Sequence, residues 1–306
     1  MTIHAHWLDN APQKKVSLQP KSEPFALKAL KTGIQLYARL SVEGAGKFIN
    51  GLWFTPRRTG MGARFEHLLD RADSFTQLRF GAYDLPVYSW GDGPVVLCVH
   101  GWSGSGIQFG SMVEPLVRQG YRVVVFDAPA HGRAQGQKTN IFEMKQVVEQ
   151  VAHLFGDIHA IIAHSLGSVA SVLAVADGLK VDKLALLAPP ATLESVVNIF
   201  GEQLEIPENV LNVHRRLLET EFGQDVWKRL DLLEYTSQLK ADGLIISDLN
   251  DDEVSFEHGE LIARDWHHAR FLKTASLGHY KILKDTAVLT EISGFLSQPR
   301  KDEPGR

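Results

Sequence analysis

Cysteine is the scarcest residue type in this chain, with one copy in 306 residues. Cys98 alone cannot close an internal disulfide or build a cysteine-rich metal site, so a reducing compartment fits and the cytoplasm is the expected location. Inside the run PVVLCVH it reads as a small core hydrophobe. Long apolar runs are also missing. Nowhere do about 18 apolar residues follow one another, and the start MTIHAHWLDNAPQKK lacks a basic end leading into an apolar stretch. Neither a membrane span nor a cleaved signal is expected. Positive charge is not in excess, since 32 Lys+Arg stand against 36 Asp+Glu for a formal charge of -4. Binding to a phosphate backbone needs a positive field, so nucleic acid is not an expected partner. No repeat and no low-complexity tract occurs.

What is present is ordinary globular material, 44% hydrophobic and 22% charged, enough for one large α/β domain or two small ones. Residues 1–75 begin polar and then run through FALKALKTGIQLYARLSVEGAGKFINGLWF, where apolar residues recur at helical spacing with interruptions at Gly44 and Gly46. This predicts a helical N-terminal extension. Its Lys28, Lys31, Arg39 and Lys47 beside Trp53 and Phe54 could suit a membrane surface, although a helix packed on the main domain is the simpler reading.

From about residue 76 short β runs alternate with helical segments, the pattern of βαβ units around a parallel sheet. LRF and LPVYSW can pair as an antiparallel edge. PVVLCVH, YRVVVFD, IHAIIAHS, KLALLAPP, GLIISD and ARFLKTAS follow, several continuously apolar as strands covered on both faces must be. About eight strands result, with helices expected near 107–119, 140–155, 166–178, 257–268 and 286–297. Residues 191–240 are helical in pattern where a short crossover would have sufficed, and read as an inserted cap. The expected core is therefore 76–190 with 241–306.

The strongest chemical signal is IIAHSLGS, where an apolar strand ends at His164-Ser165 and the helical run VASVLAVA begins at once. A serine hydroxyl becomes a useful nucleophile when a sharp turn exposes it beside a base and at a helix N-terminus. Ala163 and Gly167 are small enough to let the helix pass close to the strand. The bland alternative is a serine that only caps the helix. Upstream, PVVLCV ends in His100-Gly101-Trp102-Ser103-Gly104-Ser105-Gly106, a turn able to aim a backbone N–H inward. With the residue after the nucleophile, that makes Trp102 and Leu166 the candidate oxyanion donors. The same turn lacks the GK[ST] ending of a phosphate loop and the GxGxxG of a dinucleotide turn.

A general base should lie at the end of a later strand, and LGHYKIL supplies His279 after the last strand-like run. The orienting acid should come from SDLNDDEV, which carries Asp248, Asp251 and Asp252. Asp251 is favoured, standing three before Val254 where the chain turns into the next helix, and Asp252 remains the alternative. Thr2-Ile3-His4 could chelate Cu(II) if Met1 were removed, but nothing else in the sequence calls for a metal.

With these pieces the chain resembles the α/β-hydrolases, in their small-cap esterase-like branch, over about 76–297. HGWSGSG matches the oxyanion loop, FDAPAHGRA the turn after the next strand, AHSLGS the nucleophile elbow with alanine in place of its first glycine, SDLNDDEV the acid turn and LGHYKIL the histidine loop. The resemblance implies an acyl-enzyme mechanism with no cofactor and no metal, and an architectural role for Asp127 to Gly132. The expected function is a serine hydrolase acting on small-molecule carboxylic esters. Thioesterase or amidase activity on the same triad, and a non-catalytic binder of the same fold, stay open. Phe200, Leu204, Ile206, Phe222 and Trp227 of the cap could roof an acyl pocket or simply pack the cap.

Overall fold

The computed structural model describes residues 6–7, 24–60 and 62–299, so the Thr2-Ile3-His4 terminus lies outside the described residues. In chain order the first elements are β1 (His6–Trp7), α1 (Phe25–Leu40), α2 (Val42–Trp53), β2 (Ser74–Phe80), β3 (Tyr83–Trp90) and β4 (Val95–Val99). Next come α3 (Gly110–Arg118), β5 (Arg122–Phe126), α4 (Ile141–Phe155), β6 (Ile158–His164), α5 (Leu166–Ala176) and β7 (Val181–Leu187). Then follow α6 (Leu193–Gln203), α7 (Glu208–Phe222), α8 (Val226–Arg229), α9 (Leu233–Thr236) and β8 (Asp242–Asp248). The chain closes with α10 (Phe256–Asp265), β9 (Ala269–Thr274), α11 (Gly278–Lys281) and α12 (Thr286–Ser297).

Two compact units result. Among the described residues, one holds β1, Thr55–Ala191 and those from Leu232 onward; the other holds residues 24–54 with Thr192–Asp231.

The first unit is built on one sheet in the order β1-β9-β8-β7-β6-β4-β5-β3-β2. The hairpin β2/β3 and the pair β3/β5 are antiparallel, and every other pair is parallel. The fold is thus the expected mostly parallel α/β sheet, with the two-residue β1 as an added edge. Apolar residues on alternate positions of the central strands explain why these runs are continuous. Val96, Cys98, Val123, Val125, Ala160 and Ile162 face a core completed by Met112 and Leu116 of α3 and by Ile292 and Phe295 of α12. Their neighbours Leu97, Val124 and Ile161 point the other way and are equally buried. Cys98 lies in this core, where burial pushes its thiol pKa far up. Among the described residues no helix is long and apolar enough to cross a membrane.

The second unit joins segments far apart in sequence. α1 leads into α2, whose N-cap Ser41 accepts a hydrogen bond from the Gly44 N–H at 2.9 Å. The helical run therefore breaks at Ser41, and the expected interruptions at Gly44 and Gly46 do not occur. Both glycines sit inside α2 because neighbours pass there at closest range: a Cβ on Gly46 would collide with Val213 of α7, and one on Gly44 would meet the Tyr37 ring of α1. Trp53 packs on Phe200 and on His214, at 5.2 and 4.9 Å between ring centroids. Phe54 packs on Phe222 at 5.9 Å. Arg215 of α7 binds Glu194 and Asn198 of α6 at 3.0 and 2.8 Å, which fixes those two helices together. Phe200 and Phe222, named from sequence as pocket-roof candidates, are thus engaged in the packing of this unit.

Candidate active site

Every candidate residue of the first unit stands just beyond the C-terminal end of a parallel strand: Trp102 after β4, Ser165 after β6, Asp251 after β8 and His279 after β9. Parallel strands point the same way, so these four positions share one edge of the sheet.

Ser165 occupies the turn between β6 and α5 with φ 53° and ψ -128°, a region that non-glycine residues rarely enter. Such a conformation costs on the order of 1–3 kcal/mol and persists only where the surroundings enforce it. Here its own N–H donates to the Leu187 carbonyl at 2.9 Å, while its carbonyl accepts from the Ser168 N–H at 2.8 Å. The small residues flanking the elbow have a steric reason. A Cβ on Gly167 would strike the carbonyls of Val99 and His100 at the end of β4. Gly101 faces Ser165 directly, and a Cβ there would come within 2.8 Å of the serine Cβ.

Trp102 and Leu166 both present N–H groups with no acceptor among the described residues. The left-handed Ser103, at φ 58°, reverses the loop immediately after Trp102. A strap of the N-terminal segment holds that reversal: the Arg57 N–H donates to Ser103 Oγ and Thr59 Oγ1–H donates to the Ser103 carbonyl, both at 2.9 Å. Between them, the Arg58 guanidinium donates to the carbonyls of His131, Gly132, Ala134 and Gly136. Asp127 fastens the two loops to each other, accepting from the Gly106 N–H at 2.7 Å and the Arg133 N–H at 2.8 Å. Its part is architectural.

His279 is buried, and its Nδ1–H donates to Asp251 Oδ2 at 2.8 Å. The other oxygen, Oδ1, accepts from the N–H groups of Glu253 and Val254 at 2.8 and 2.9 Å, so the turn itself aims the carboxylate. Asp252, the alternative acid, is exposed and makes no such bond. With Nδ1 protonated, Nε2 is left as the basic nitrogen. It lies 3.8 Å from Glu253 Oε2, which accepts from the Tyr280 hydroxyl at 2.9 Å. Burial, and then Glu253, push the Tyr280 pKa far up, so the phenol stays a donor. Ser165 Oγ and His279 Nε2 share no hydrogen bond here; such contacts are often loose without substrate and tighten in the complex.

Asp248 is a residue whose role the sequence left unassigned. Fully buried at the end of β8, it accepts from the N–H groups of Asn250 and Gly278 through Oδ1, at 2.9 and 3.0 Å. Through Oδ2 it accepts from the Leu277 N–H at 3.0 Å and the Thr274 hydroxyl at 2.8 Å. It clasps the histidine loop to the acid loop. The readable signal was a carboxylate just after the apolar run GLII of a fully buried strand, since a buried charge must be paired. His164, before the nucleophile, donates Nε2–H to the His279 carbonyl at 2.9 Å, with the two rings 4.6 Å apart. Burial, and then His279, hold its pKa well below the usual histidine range. His131 stands edge-on to Trp102 at 5.2 Å, and burial, then His100, lower its pKa to about 3.

A cavity of about 100 Å³ lies behind the oxyanion loop, lined by Thr59, Ser105, Asp127 and Arg133 among others. Neither Ser165 nor His279 borders it, so it does not mark the place of the chemistry. No group of three His, Cys, Asp or Glu among the described residues is arranged to hold a metal.

A family model described as alpha/beta hydrolase fold matches residues 94–279, a span that runs from the start of β4 to the candidate base. The magnesium-chelatase 30 kDa subunit of Rhodobacter capsulatus is 38% identical over 95 residues, which cover 29% of this chain and 33% of that protein. A human serine hydrolase-like protein is 30% identical over 142 residues, covering 43% of this chain and 64% of the relative. The chain therefore spans a third of the first relative's length and just under two thirds of the second's. Among solved structures, an esterase from Exiguobacterium antarcticum superposes with a TM-score of 0.57 at 16% identity, covering 74% of this chain and 99% of that one.

Proposed function

The chain belongs to the α/β-hydrolase family, and from that membership we propose that it is a serine hydrolase cleaving carboxylic esters through an acyl-enzyme. The observation that carries the reading is the pairing of the strained elbow at Ser165 with the buried His279–Asp251 hydrogen bond on the same sheet edge. In the first half-reaction Ser165 Oγ attacks the ester carbonyl carbon, and His279 Nε2 accepts the hydroxyl proton. Asp251 fixes the ring tautomer and stabilises the imidazolium. The N–H groups of Trp102 and Leu166 receive the negative charge that develops on the carbonyl oxygen. His279 then returns the proton to the departing alkoxide, and water attacks the acyl-enzyme by the same route.

Hydrolysis of a p-nitrophenyl ester series by the wild type and Ser165→Ala tests this. The variant should lose roughly 10⁴–10⁶ in kcat, with only the oxyanion donors and binding left to act. Equal turnover by both proteins would sink the nucleophile assignment. If neither turns over an ester, thioester and amide substrates come next on the same triad. The reading as a binder without turnover draws on the absent Ser165–His279 bond, and a wild type inert on all three substrate classes would favour it.

A further inference from the structure

α1 carries apolar residues on two opposite faces, and only one of them is used in packing. Ile34 is buried, with Leu27 and Leu30 half-buried beside it. Those residues account for how the helix sits in its own unit. On the other side Phe25, Ala29, Leu36 and Leu40 follow at intervals of four, seven and four, a stripe along one face. Phe25 and Leu40 are each 86% exposed and Leu36 54%. Tyr37 and Phe48 extend the stripe onto α2, with their rings 6.4 Å apart and both in solvent. Solvent-facing positions of a helix are ordinarily polar, and three large apolar groups on one face of α1, with Tyr37 and Phe48 exposed as well, call for a covering surface.

Charge decides what covers it. Lys28 and Arg39 flank the stripe on α1 and Lys47 adjoins Phe48 on α2; all three are exposed and have no ion-pair partner among the described residues. Two acidic groups of this unit are paired, Glu43 with Arg216 at 3.2 Å and Glu205 with Lys31 at 3.0 Å. The patch is thus apolar along its centre and cationic at its margin. Long basic side chains can reach outward to phosphates while the apolar centre sits at the boundary between headgroups and acyl chains.

We propose that this face of α1 and α2 docks on an anionic lipid surface, with the helix lying in the plane of the interface.

Vesicle co-sedimentation of the full chain tests the proposal, with phosphatidylcholine alone against a mixture containing about one-third phosphatidylglycerol. The protein should pellet with the anionic vesicles, stay largely in solution with the neutral ones, and be released in about 1 M salt, where the Debye length is about 3 Å. Lys28→Gln with Arg39→Gln should weaken partitioning about thirtyfold, taking about fivefold for each cation. Leu36→Ser with Leu40→Ser should weaken it about tenfold or more. All four positions are exposed, so both double variants should keep the wild-type melting temperature. The proposal is overturned by a wild type that pellets with neither vesicle, by equal binding to both, or by retention that ignores both variants. A concentration-dependent dimer abolished by the leucine substitutions would assign the face to a second copy instead. None of these readouts needs turnover, so they stand apart from the hydrolase reading.

Discussion

The two units treat apolar surface in opposite ways. The sheet unit places its aliphatic residues between two helical layers, so that Leu97, Val124, Ile161 and Ile245 are wholly buried. The smaller unit contributes five of the nine large apolar side chains that stand exposed among the described residues. It also joins its two segments through ring contacts and through one glycine, Gly46, under Val213. Chemistry needs rigid positioning, which a two-sided core supplies. A binding face needs exposed groups, which a unit with a thin core can present. On the two proposals above, catalysis would fall to one unit and lipid contact to the other, and that division can be broken at several points.

After Ser165→Ala, the largest effect should come from the acid turn of the sheet unit. Asp251→Asn removes the acceptor of the His279 Nδ1–H and should lower kcat by about 10³–10⁴ on any ester that the wild type turns over. Asp252→Asn, one residue away on an exposed side chain, should stay within about twofold. Steady-state kinetics on one ester settles the pair, and the opposite ranking would move the acid to Asp252.

This contrast also marks where the sequence was readable. SDLNDDEV exposes its logic because the chemistry is local: one carboxylate oxygen takes the two N–H groups that follow it, and the other is free for the histidine. Strands such as PVVLCVH were legible because burial on both faces leaves no polar position. The elbow was legible through Ala163 and Gly167, whose small size is a steric demand of the strand-to-helix crossing. What escaped depends on partners distant in sequence. Gly44 and Gly46 look like helix breakers until Val213, more than 160 residues later, is seen against the second of them. The two-residue β1, the single turn α11, the Asp248 clasp and the Arg58 grip have no periodicity of their own to read.

The next effect falls on the smaller unit. Gly46→Val must push α2 away from Val213 and should destabilise that unit by about 2–3 kcal/mol. Hydrogen exchange should then accelerate at amides of α2 and α7 and stay unchanged at β4 and β6. Equal acceleration in the sheet would show the two units to unfold as one.

Both units hold buried, neutral histidines: His100, His131 and His164 in the sheet unit and His214 in the smaller one. His131 in the sheet unit has its pKa lowered to about 3, and His214 in the smaller unit to about 4, in both cases chiefly by burial. Protonation favours the unfolded chain, where histidine titrates near 6.5, so the stability present above that pH is lost as pH falls toward the folded values. At pH 5 each should remove about 2 kcal/mol relative to pH 7. His131→Asn should lessen the loss at sheet amides, where His100 and His164 still contribute, and His214→Asn should flatten the loss at α7 amides. A slope that neither substitution changes would place the acid sensitivity elsewhere.

The smallest effect tests whether the strap of residues 55–60 serves the chemistry. Ser103 holds a left-handed conformation worth about 1–2 kcal/mol of strain, and Thr59 and Arg57 supply the hydrogen bonds that keep it there. Because Ser103 follows Trp102 directly, loosening it should, on the proposed mechanism, turn the Trp102 N–H away from the oxyanion without touching the substrate. Thr59→Val keeps the shape and removes the donor, so kcat should fall about fivefold with KM nearly unchanged, the pattern of an interaction made only in the transition state. Thr59→Ser restores the hydroxyl and should restore the rate. A purely structural strap would instead lower the melting temperature while leaving kcat of the folded enzyme alone, and that outcome would return residues 55–60 to packing.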